Sequence, residues 1–304
     1  LKRYLKENGG DLEAAKRRVL NEYINLKKHN LLYPIVPDDR DLFLLREQLR
    51  LYKQAGLRTD TLFLGTPIHP SYAWMTSPEV QGKPIGEMPT PFKTLEHIDR
   101  IARLLEEEIG HKNVYFFGWD EPPPRLMRPQ RLTWKYAHDK GYKTFTIGHS
   151  KHLLYAGYNE DFLNYGGSYS KAKSQAWHEI GARITSYAAP HTGPENPDFT
   201  RRTHGFDLYA ADCDGTMNYL WNDFTWNDFS KAHHNFRSFS MVYPTRDSCI
   251  DTIQWEGFRE GIDDVRYATL LKQYAHQAIG TGNTDAVYEG RKALLWLSTQ
   301  DSKR

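Results

Sequence analysis

Long apolar runs, cysteines and an excess of charge of one sign are all scarce in this sequence of 304 residues. No stretch approaches the roughly 18 apolar residues of a membrane span, and the first residues lack the apolar centre of a signal peptide. The formal net charge is only +2, from 40 basic and 38 acidic residues without a long block of one sign. That balance argues against a nucleic-acid or membrane-surface partner.

Metal and nucleotide motifs are also missing. The two cysteines, Cys213 and Cys249, lie outside any metal spacing, and the sequence leaves open whether they pair. The 13 histidines form no His-x-His or His-x-x-x-His pattern, and the adjacent rings of His233 and His234 would diverge. No glycine-rich phosphate loop is present. We therefore expect no metal and no other cofactor.

Aromatic residues are plentiful by contrast. They make up 13% of the chain, with 8 Trp and 19 Tyr, although the hydrophobic share is only 39%. Rings in place of aliphatic side chains suit a surface that stacks on flat apolar faces, including those of sugars.

Strand-like and helix-like segments alternate from about residue 30 onward, which is typical of parallel α/β proteins. Eight strands followed by helices or loops predict a (β/α)8 TIM barrel rather than an open doubly wound sheet. No linker or repeat divides residues 1–304, so we expect a single domain. The strands are predicted at 31–36, 61–65, 114–120, 144–147, 162–165, 183–188, 215–221 and 239–243, and the helices at 12–26, 41–56, 92–110, 132–140, 172–181, 200–211 and 252–279.

The helix at 12–26 precedes the first predicted strand, so a further strand upstream of this sequence stays open. In that case 239–243 is an extra or peripheral strand. Strand 114–120 is then the fourth of the barrel instead of the third.

An acidic pair, Asp120 and Glu121, stands where strand 114–120 runs into Pro122, Pro123 and Pro124. Four bulky residues before it suit a strand buried on both faces, and the prolines end the strand. The carboxyl ends of parallel strands carry the chemistry in barrel enzymes. The alternative is that the pair only caps the following turn.

In a barrel the loops after the strands face a common pocket. Polar and aromatic residues follow the predicted strands: His69, Tyr72, Trp119, Asp120, Glu121, His149, Tyr165, Tyr187, His191, Asn218, Trp221, Asn222 and Asp223. Two carboxylates among several rings suit a glycoside hydrolase, because one acid must protonate the leaving oxygen.

Neighbouring residues on a regular strand point to opposite faces, but Gly118 and Pro122 permit a twist. Adjacent carboxylates fit poorly with the usual retaining mechanism, whose two groups flank the anomeric carbon. They fit better with substrate-assisted catalysis, in which the 2-acetamido oxygen of the sugar attacks C1. Glu121 would then be the acid/base, and Asp120 would hold the acetamido N–H.

The segment Gly118 to Pro122 resembles the catalytic segment of family 123 glycoside hydrolases. The run from Tyr243 and Pro244 through residues 253–264 resembles that family's closing segment, and the similarity covers most of the chain from about residue 20. It implies a TIM-barrel exo-acting β-N-acetylgalactosaminidase that is retaining, metal-free and substrate-assisted. The family usually carries a β-sandwich domain upstream of the barrel, and we expect no counterpart of that domain within residues 1–304.

The resemblance implies that Tyr187 bonds the acetamido carbonyl and that Trp221 forms a stacking wall. Trp119, His149, Tyr165, His191 and Asn218 complete the expected substrate-binding set around catalytic Asp120 and Glu121. The expected partner is a glycan, and the resemblance favours a secreted or periplasmic location.

Two alternatives remain open. One is a glycosidase for sugars without an acetamido group, which would use Glu121 with a distant carboxylate such as Asp223 or Asp207. The other is a non-catalytic sugar-binding barrel. The natural glycan and the oligomeric state stay open.

Overall fold

Parallel strands and helices alternate along this chain, whose structure is a computed structural model. It describes residues 1–37, 40–149, 155–156, 160–187, 196–222 and 240–300. The strands are β1 (Leu62–Pro67), β2 (Val114–Asp120), β3 (Lys143–Gly148), β4 (Phe162–Tyr165), β5 (Arg183–Ser186), β6 (Gly215–Thr216), β7 (Val242–Pro244) and β8 (Cys249–Asp251). The helices are α1 (Lys2–Glu7), α2 (Leu12–Lys28), α3 (Leu42–Gln54), α4 (Tyr72–Met75), α5 (Phe92–Glu108), α6 (Pro124–Asp139), α7 (Lys171–Glu179), α8 (Pro197–His204), α9 (Phe206–Ala210), α10 (Ile253–Gly280) and α11 (Thr284–Ser298).

The main sheet contains six strands in the order β1 to β6, the same as their order along the chain. The pairs β1–β2, β2–β3 and β3–β4 are parallel. Strands β7 and β8 form a separate two-stranded sheet. The α/β class is therefore confirmed, whereas a closed eight-stranded barrel is not seen among the described residues.

Three of the eight predicted barrel strands differ in the structure, and one of them, 215–221, is reduced to the two residues of β6. Residues 31–36 form no named strand, and only Val36 bridges in parallel to Leu64. Pro34 and Pro37 flank this bridge, and because proline has no N–H to donate, the ladder cannot extend. The predicted strand 239–243 corresponds to β7, which lies outside the main sheet; Phe239 lies outside the described residues.

The chain divides into two compact units, and the single-domain organisation stays a prediction. The first unit comprises Leu1–Ser168, Ala176–Thr185 and Thr245–Cys249, and the second comprises Tyr169–Gln175, Ser186–Pro244 and Ile250–Arg304. Across the described residues, every helix is too short or too polar to serve as a membrane span. Both cysteines are free thiols.

An aromatic layer covers one face of the sheet in the first unit. The rings of Phe63 and Tyr115 stack with centroids 4.7 Å apart, and Phe63 meets Phe145 and Phe162 edge-on at 5.5 and 5.0 Å. These four side chains come from β1, β2, β3 and β4, and all are buried. Aromatic pairs of this geometry add about 0.5–1.5 kcal/mol each beyond their area burial. The layer packs the four strands together across this face of the sheet.

A buried carboxylate lies just before β4. Glu160 is 3% exposed, and neither of its carboxylate oxygens forms a hydrogen bond within the described part of the chain. Burial raises the pKa of Glu160 well above its usual value, and the charge of Asp161 raises it further. The folded first unit therefore favours the protonated form of Glu160.

Close packing of α8 on α10 organises the second unit. A Cβ added at Gly257 would overlap the carbonyl oxygen of Pro197, and one at Gly261 would overlap that of Arg201. The guanidinium of Arg201 donates to both carboxylate oxygens of Asp264, at 2.6 and 2.8 Å. Glycines four residues apart thus let the backbones meet, and the two-pronged ion pair fixes their register.

This packing predicts that Gly261→Ala lowers the free energy of unfolding by about 1–3 kcal/mol, as for other overpacked sites. Gly280→Ala is the matched control in the same helix, because a Cβ there meets nothing within 4 Å. It should be neutral or stabilising by up to about 1 kcal/mol. Urea unfolding followed by circular dichroism measures both variants. Equal effects of the two substitutions would contradict this account of the contact.

Candidate functional site

A bulge at the end of β2 decides where the acidic pair points. Phe117 pairs with Phe145 and Asp120 pairs with Ile147, so three residues on β2 advance against two on β3. The extra residue returns Asp120 to the face of the sheet that carries Phe117 and Phe145. Regular alternation would have placed it on the opposite face.

Glu121 follows with an unusual backbone conformation. Its φ is +44°, in the left-handed region that non-glycine residues seldom adopt. Its N–H donates to the carbonyl of Ile147 at 2.9 Å. Such strain costs roughly 1–3 kcal/mol and is found more often at functional sites than elsewhere. The bulge and this turn bring two consecutive carboxylates to one edge of the sheet.

Gly118 and Gln130 hold the bulge in place. A Cβ at Gly118 would lie 2.5 Å from Cγ2 of Thr146 and 3.3 Å from the ring of Trp134, so only glycine fits. The N–H of Trp119, released from the strand ladder, donates to Oε1 of Gln130 at 3.0 Å. Gln130 is fully buried in α6, and its Nε2 donates to the carbonyl of Leu126 at 3.0 Å. The oxygen and the nitrogen of the Gln130 amide therefore both form hydrogen bonds.

Gln130 was not singled out from the sequence. A signal was available, because this polar residue lies on the apolar stripe of α6 with Leu126, Trp134 and Ala137. A polar side chain on a buried stripe must find a partner. The sequence alone could not identify the Trp119 N–H as that partner, because it does not show the bulge.

His149 lies directly after β3 and contacts the acidic pair. Its Nε2 is 3.1 Å from Oε1 of Glu121, with 56% and 46% of the two side chains exposed. The pair is too exposed for its ion-pair energy to count for much. The contact shows that a ring nitrogen of His149 lies beside the Glu121 carboxyl.

The carboxyl of Asp120 has a raised pKa. Asp120 is exposed as a residue, yet the protein atoms around its carboxylate displace enough water that partial burial is the largest cause of the raised pKa. The nearby charge of Glu121 raises it further, and His149 lowers it. Two adjacent carboxylates resist ionising together, which is the usual cause of divided protonation in paired acids.

Three rings lie together around Trp119, the residue that precedes the acidic pair. His69 and Trp119 have ring centroids 4.4 Å apart, and Tyr72 lies 6.1 Å from Trp119. Nδ1 of His69 lies 2.8 Å from the carbonyl of Pro70, which fixes the Nδ1–H tautomer of the neutral ring. Tyr72 is 54% exposed and opens α4, where Ser71 accepts from the N–H of Trp74. Partly exposed rings beside carboxylates are typical of sugar-binding sites.

Structure therefore brings Trp119, Asp120, Glu121 and His149 together in the first unit. Tyr165 ends β4 in the same unit, but it is buried in a hydrophobic cluster with Leu163, Trp177, Ala182 and Ile184. Its hydroxyl would lie 2.5 Å from a Cβ at Gly167, so it packs tightly. Its substrate-binding role stays a prediction.

The remaining predicted residues belong to the second unit. Tyr187 follows β5 and is half-buried. Asn218 and Trp221 follow β6, and their Oδ1 and Nε1 atoms are buried without a hydrogen bond in the part of the chain that the structure describes. Trp221 packs edge-on against Trp255, with centroids 6.4 Å apart. His191 and Asp223 lie outside the described residues.

No family model and no curated protein sequence matches this chain. Among solved structures, Gas2p of Saccharomyces cerevisiae in complex with laminaritriose and laminaritetraose is 8% identical, with a TM-score of 0.49 over 83% of this chain and 62% of that chain. A GH10 xylanase of Thermobacillus composti is 13% identical, with a TM-score of 0.39 over 70% of this chain and 79% of that chain. The chain thus spans less than two thirds of Gas2p. At these scores neither likeness bears on the chemistry, and membership of family 123 stays a prediction.

The hydrogen bond to Trp119 makes Gln130 a positioning residue. We expect Gln130→Met, similar in size but without an acceptor, to leave the Trp119 N–H unpaired and to cost about 1–3 kcal/mol of stability. Thr133→Val is the control, because that hydroxyl donates only to the Gln130 carbonyl in its own helix, at 2.9 Å. A crystal structure of each variant checks the bulge, which should change only in Gln130→Met. An unchanged bulge in both would show that Gln130 does not hold it.

Proposed function

We propose that this protein is a glycoside hydrolase whose general acid/base is Glu121. The observation that carries the proposal is the bulged end of β2, which presents Asp120 and Glu121 side by side at the carboxyl edge of a parallel sheet. That edge is where barrel enzymes place their chemistry. Trp119, the residue before the pair, lies against the rings of His69 and Tyr72.

The two carboxylates are assigned their roles by resemblance to the catalytic segment of family 123 glycoside hydrolases. Glu121 protonates the glycosidic oxygen as the bond to the leaving group breaks, then takes a proton from water in the second step. His149 contacts its Oε1 and orients the carboxyl. Asp120, as a carboxylate, accepts a hydrogen bond from the substrate and stabilises positive charge that develops near C1.

We infer that the sugar carries a 2-acetamido group, with β-linked N-acetylgalactosamine favoured. Adjacent carboxylates lie on the same side of a substrate and cannot flank its anomeric carbon, so the nucleophile must come from elsewhere. An acetamido oxygen supplies it: the oxygen bonds to C1 as the leaving group departs with the proton of Glu121, and water later opens the cyclic intermediate. Asp120 would accept the acetamido N–H and polarise the group.

Turnover of aryl β-glycosides by the wild type and by Glu121→Gln tests the acid. We expect activity on N-acetylgalactosaminides above N-acetylglucosaminides and galactosides, and a loss of about 10²–10⁴ in kcat for the variant. The loss should be larger for a poor leaving group than for nitrophenol, because nitrophenol departs without a proton.

Glu96→Gln is the matched control for this test. Glu96 is an exposed glutamate of α5 in the same unit, so its substitution makes the same charge change away from the acidic pair. Full activity in Glu121→Gln would refute the assigned acid. Turnover of galactosides alone would select a glycosidase with a distant second carboxylate, and affinity without turnover would select a sugar-binding protein.

The raised pKa of Asp120 predicts the acid side of the pH profile. Asp120 works as a carboxylate, so activity is lost as pH falls through its pKa, and that loss should occur at a higher pH than for an ordinary aspartate. The positive charge of His149 lowers this pKa, so His149→Gln should move the acid limb of kcat/KM to still higher pH. An acid limb that does not move in His149→Gln, or that persists unchanged in Asp120→Asn, would contradict the assignment.

A further inference from the structure

A pocket lies at the start of α6 in the first unit, a few residues along the chain from the acidic pair. Its volume is about 320 Å³, at the lower end of the range for small-ligand pockets. Arg125, Arg128 and Tyr155 line it, together with Gln81, Met88 and Pro129. The described residues that line this pocket include neither an aspartate nor a glutamate. None of the strand-end residues proposed for catalysis contributes to it.

Positive charge is concentrated there without compensation. Arg125 and Arg128 are three residues apart on α6, so both side chains lie on one face of the helix. Among the described residues, no carboxylate comes within salt-bridge distance of either guanidinium. Several other arginines of the first unit do have such partners: Arg46 and Arg50, for example, both contact Glu108.

The position of Arg125 at the start of α6 makes its positive charge unfavourable in the absence of an anion. It lies in the first turn of α6, where the helix dipole is positive and acidic residues are usually preferred. That turn contains no acidic residue, and the N-cap, Pro123, has no side chain able to accept a hydrogen bond. The positive end of the helix dipole and the Arg125 guanidinium therefore repel each other. A bound anion would reduce this repulsion.

Pro129, inside α6, lies in the wall of the pocket. A proline inside a helix donates no hydrogen bond, so the carbonyl of Arg125, four residues earlier, loses its partner within the helix. Nε2 of Gln81 approaches that carbonyl at 3.4 Å and donates to the carbonyl of Met75 at 2.6 Å. The side chain of Gln81 thus ties the loop after α4 to the start of α6. This contact therefore holds together two segments that line the pocket.

The pocket is also close to the proposed acid. Arg125 follows Glu121 by four residues, and at about 3.6 Å per residue their Cα atoms lie within about 14 Å of each other. The three prolines between them allow the chain little freedom. A glycan held at Glu121 can therefore place an adjoining sugar over α6. Tyr155, Met88 and Pro129 offer it apolar faces, and the two guanidinium groups offer planar donors that match carboxylate or sulfate oxygens.

We propose that this pocket is a subsite for an anionic sugar, a uronate or a sulfate ester, next to the bond that is cleaved. The assignment rests on the proposed glycoside hydrolase function and names its substrate class: an acidic glycan. The charge supplies recognition, and the ring and apolar walls confine the ligand to sugars.

The test measures binding of methyl β-glucuronide, galactose 6-sulfate, methyl β-galactoside and inorganic sulfate by ligand-observed NMR and calorimetry. The full chain is used with Glu121→Gln, so that nothing is cleaved. Both anionic sugars, or one of them, should bind at least about tenfold more tightly than the neutral galactoside, which corresponds to about 1.4 kcal/mol. The preferred anion distinguishes a uronate from a sulfate ester. Added salt should weaken the preference.

Arg125→Gln/Arg128→Gln should abolish this preference, whereas the control Lys135→Gln should keep it. Lys135 lies further along α6, is exposed, and pairs with Asp139 at 2.7 Å. Equal binding of charged and neutral sugars would overturn the proposal. So would inorganic sulfate binding as tightly as the sulfated sugar, because the walls would then play no part.

The two proposals fail in different ways. If wild type hydrolyses glycosides through Glu121 but the pocket does not prefer anionic sugars, only the subsite is wrong. If the preference is found and depends on the two arginines but no glycoside is hydrolysed, the hydrolase is wrong and the pocket remains a site for acidic sugars.

Discussion

The arrangement of the candidate site depends on one steric constraint, the absence of a side chain at Gly118. At this position β2 passes so close to Thr146 of β3 and Trp134 of α6 that a Cβ would lie 2.5 Å from the threonine methyl carbon. Because β2 approaches β3 and α6 so closely on the helix-covered face, the strand continues through a bulge. Gln130 then takes up the N–H that the bulge releases. Packing outside the sheet thus sets the direction of the carboxylates at its edge.

Three energetic effects act in the short segment around Gly118: aromatic stacking, backbone strain and repulsion between like charges. Aromatic stacking among Phe63, Tyr115 and Phe145 fixes the strands below the bulge. Above it, Glu121 holds a strained backbone conformation, and beyond the prolines the start of α6 accumulates positive charge. Strain and like charge both cost stability, so each must be supported by the surrounding structure. Local departures from favourable geometry of this sort concentrate where proteins bind ligands.

The sequence predicted the regular elements well and the irregular ones poorly. Strand 114–120 matches Val114–Asp120, and the long helix predicted at 252–279 matches Ile253–Gly280, because periodicity and proline stops define such elements. The single helix predicted at 200–211 is two helices that meet at Gly205, where a Cβ would lie 2.6 Å from the Arg201 carbonyl. That contact comes from tertiary packing and leaves no trace in periodicity.

The candidate site divides in the same way. The acidic pair at the end of β2 could be found from composition and order alone, as could His149 after β3. The bulge, the contact of His149 with Glu121, and the role of Gln130 depend on register between strands, which a single sequence does not encode locally. Arg125 and Arg128 were not singled out, because the helix predicted at 132–140 begins after them, whereas α6 already begins at Pro124. The pocket that they line and their lack of a carboxylate partner among the described residues are visible only in the structure.

The buried carboxyl of Glu160 couples folding of the first unit to proton uptake. Its pKa is higher in the folded state than in the unfolded chain, so the folded state holds the extra proton between those two values. The contribution to stability is complete below the unfolded pKa and is lost as pH rises through the folded one. Unfolding in that interval releases the proton to the buffer. A calorimetric enthalpy of unfolding therefore includes the heat of buffer protonation, and it will differ between phosphate and an amine buffer at the same pH.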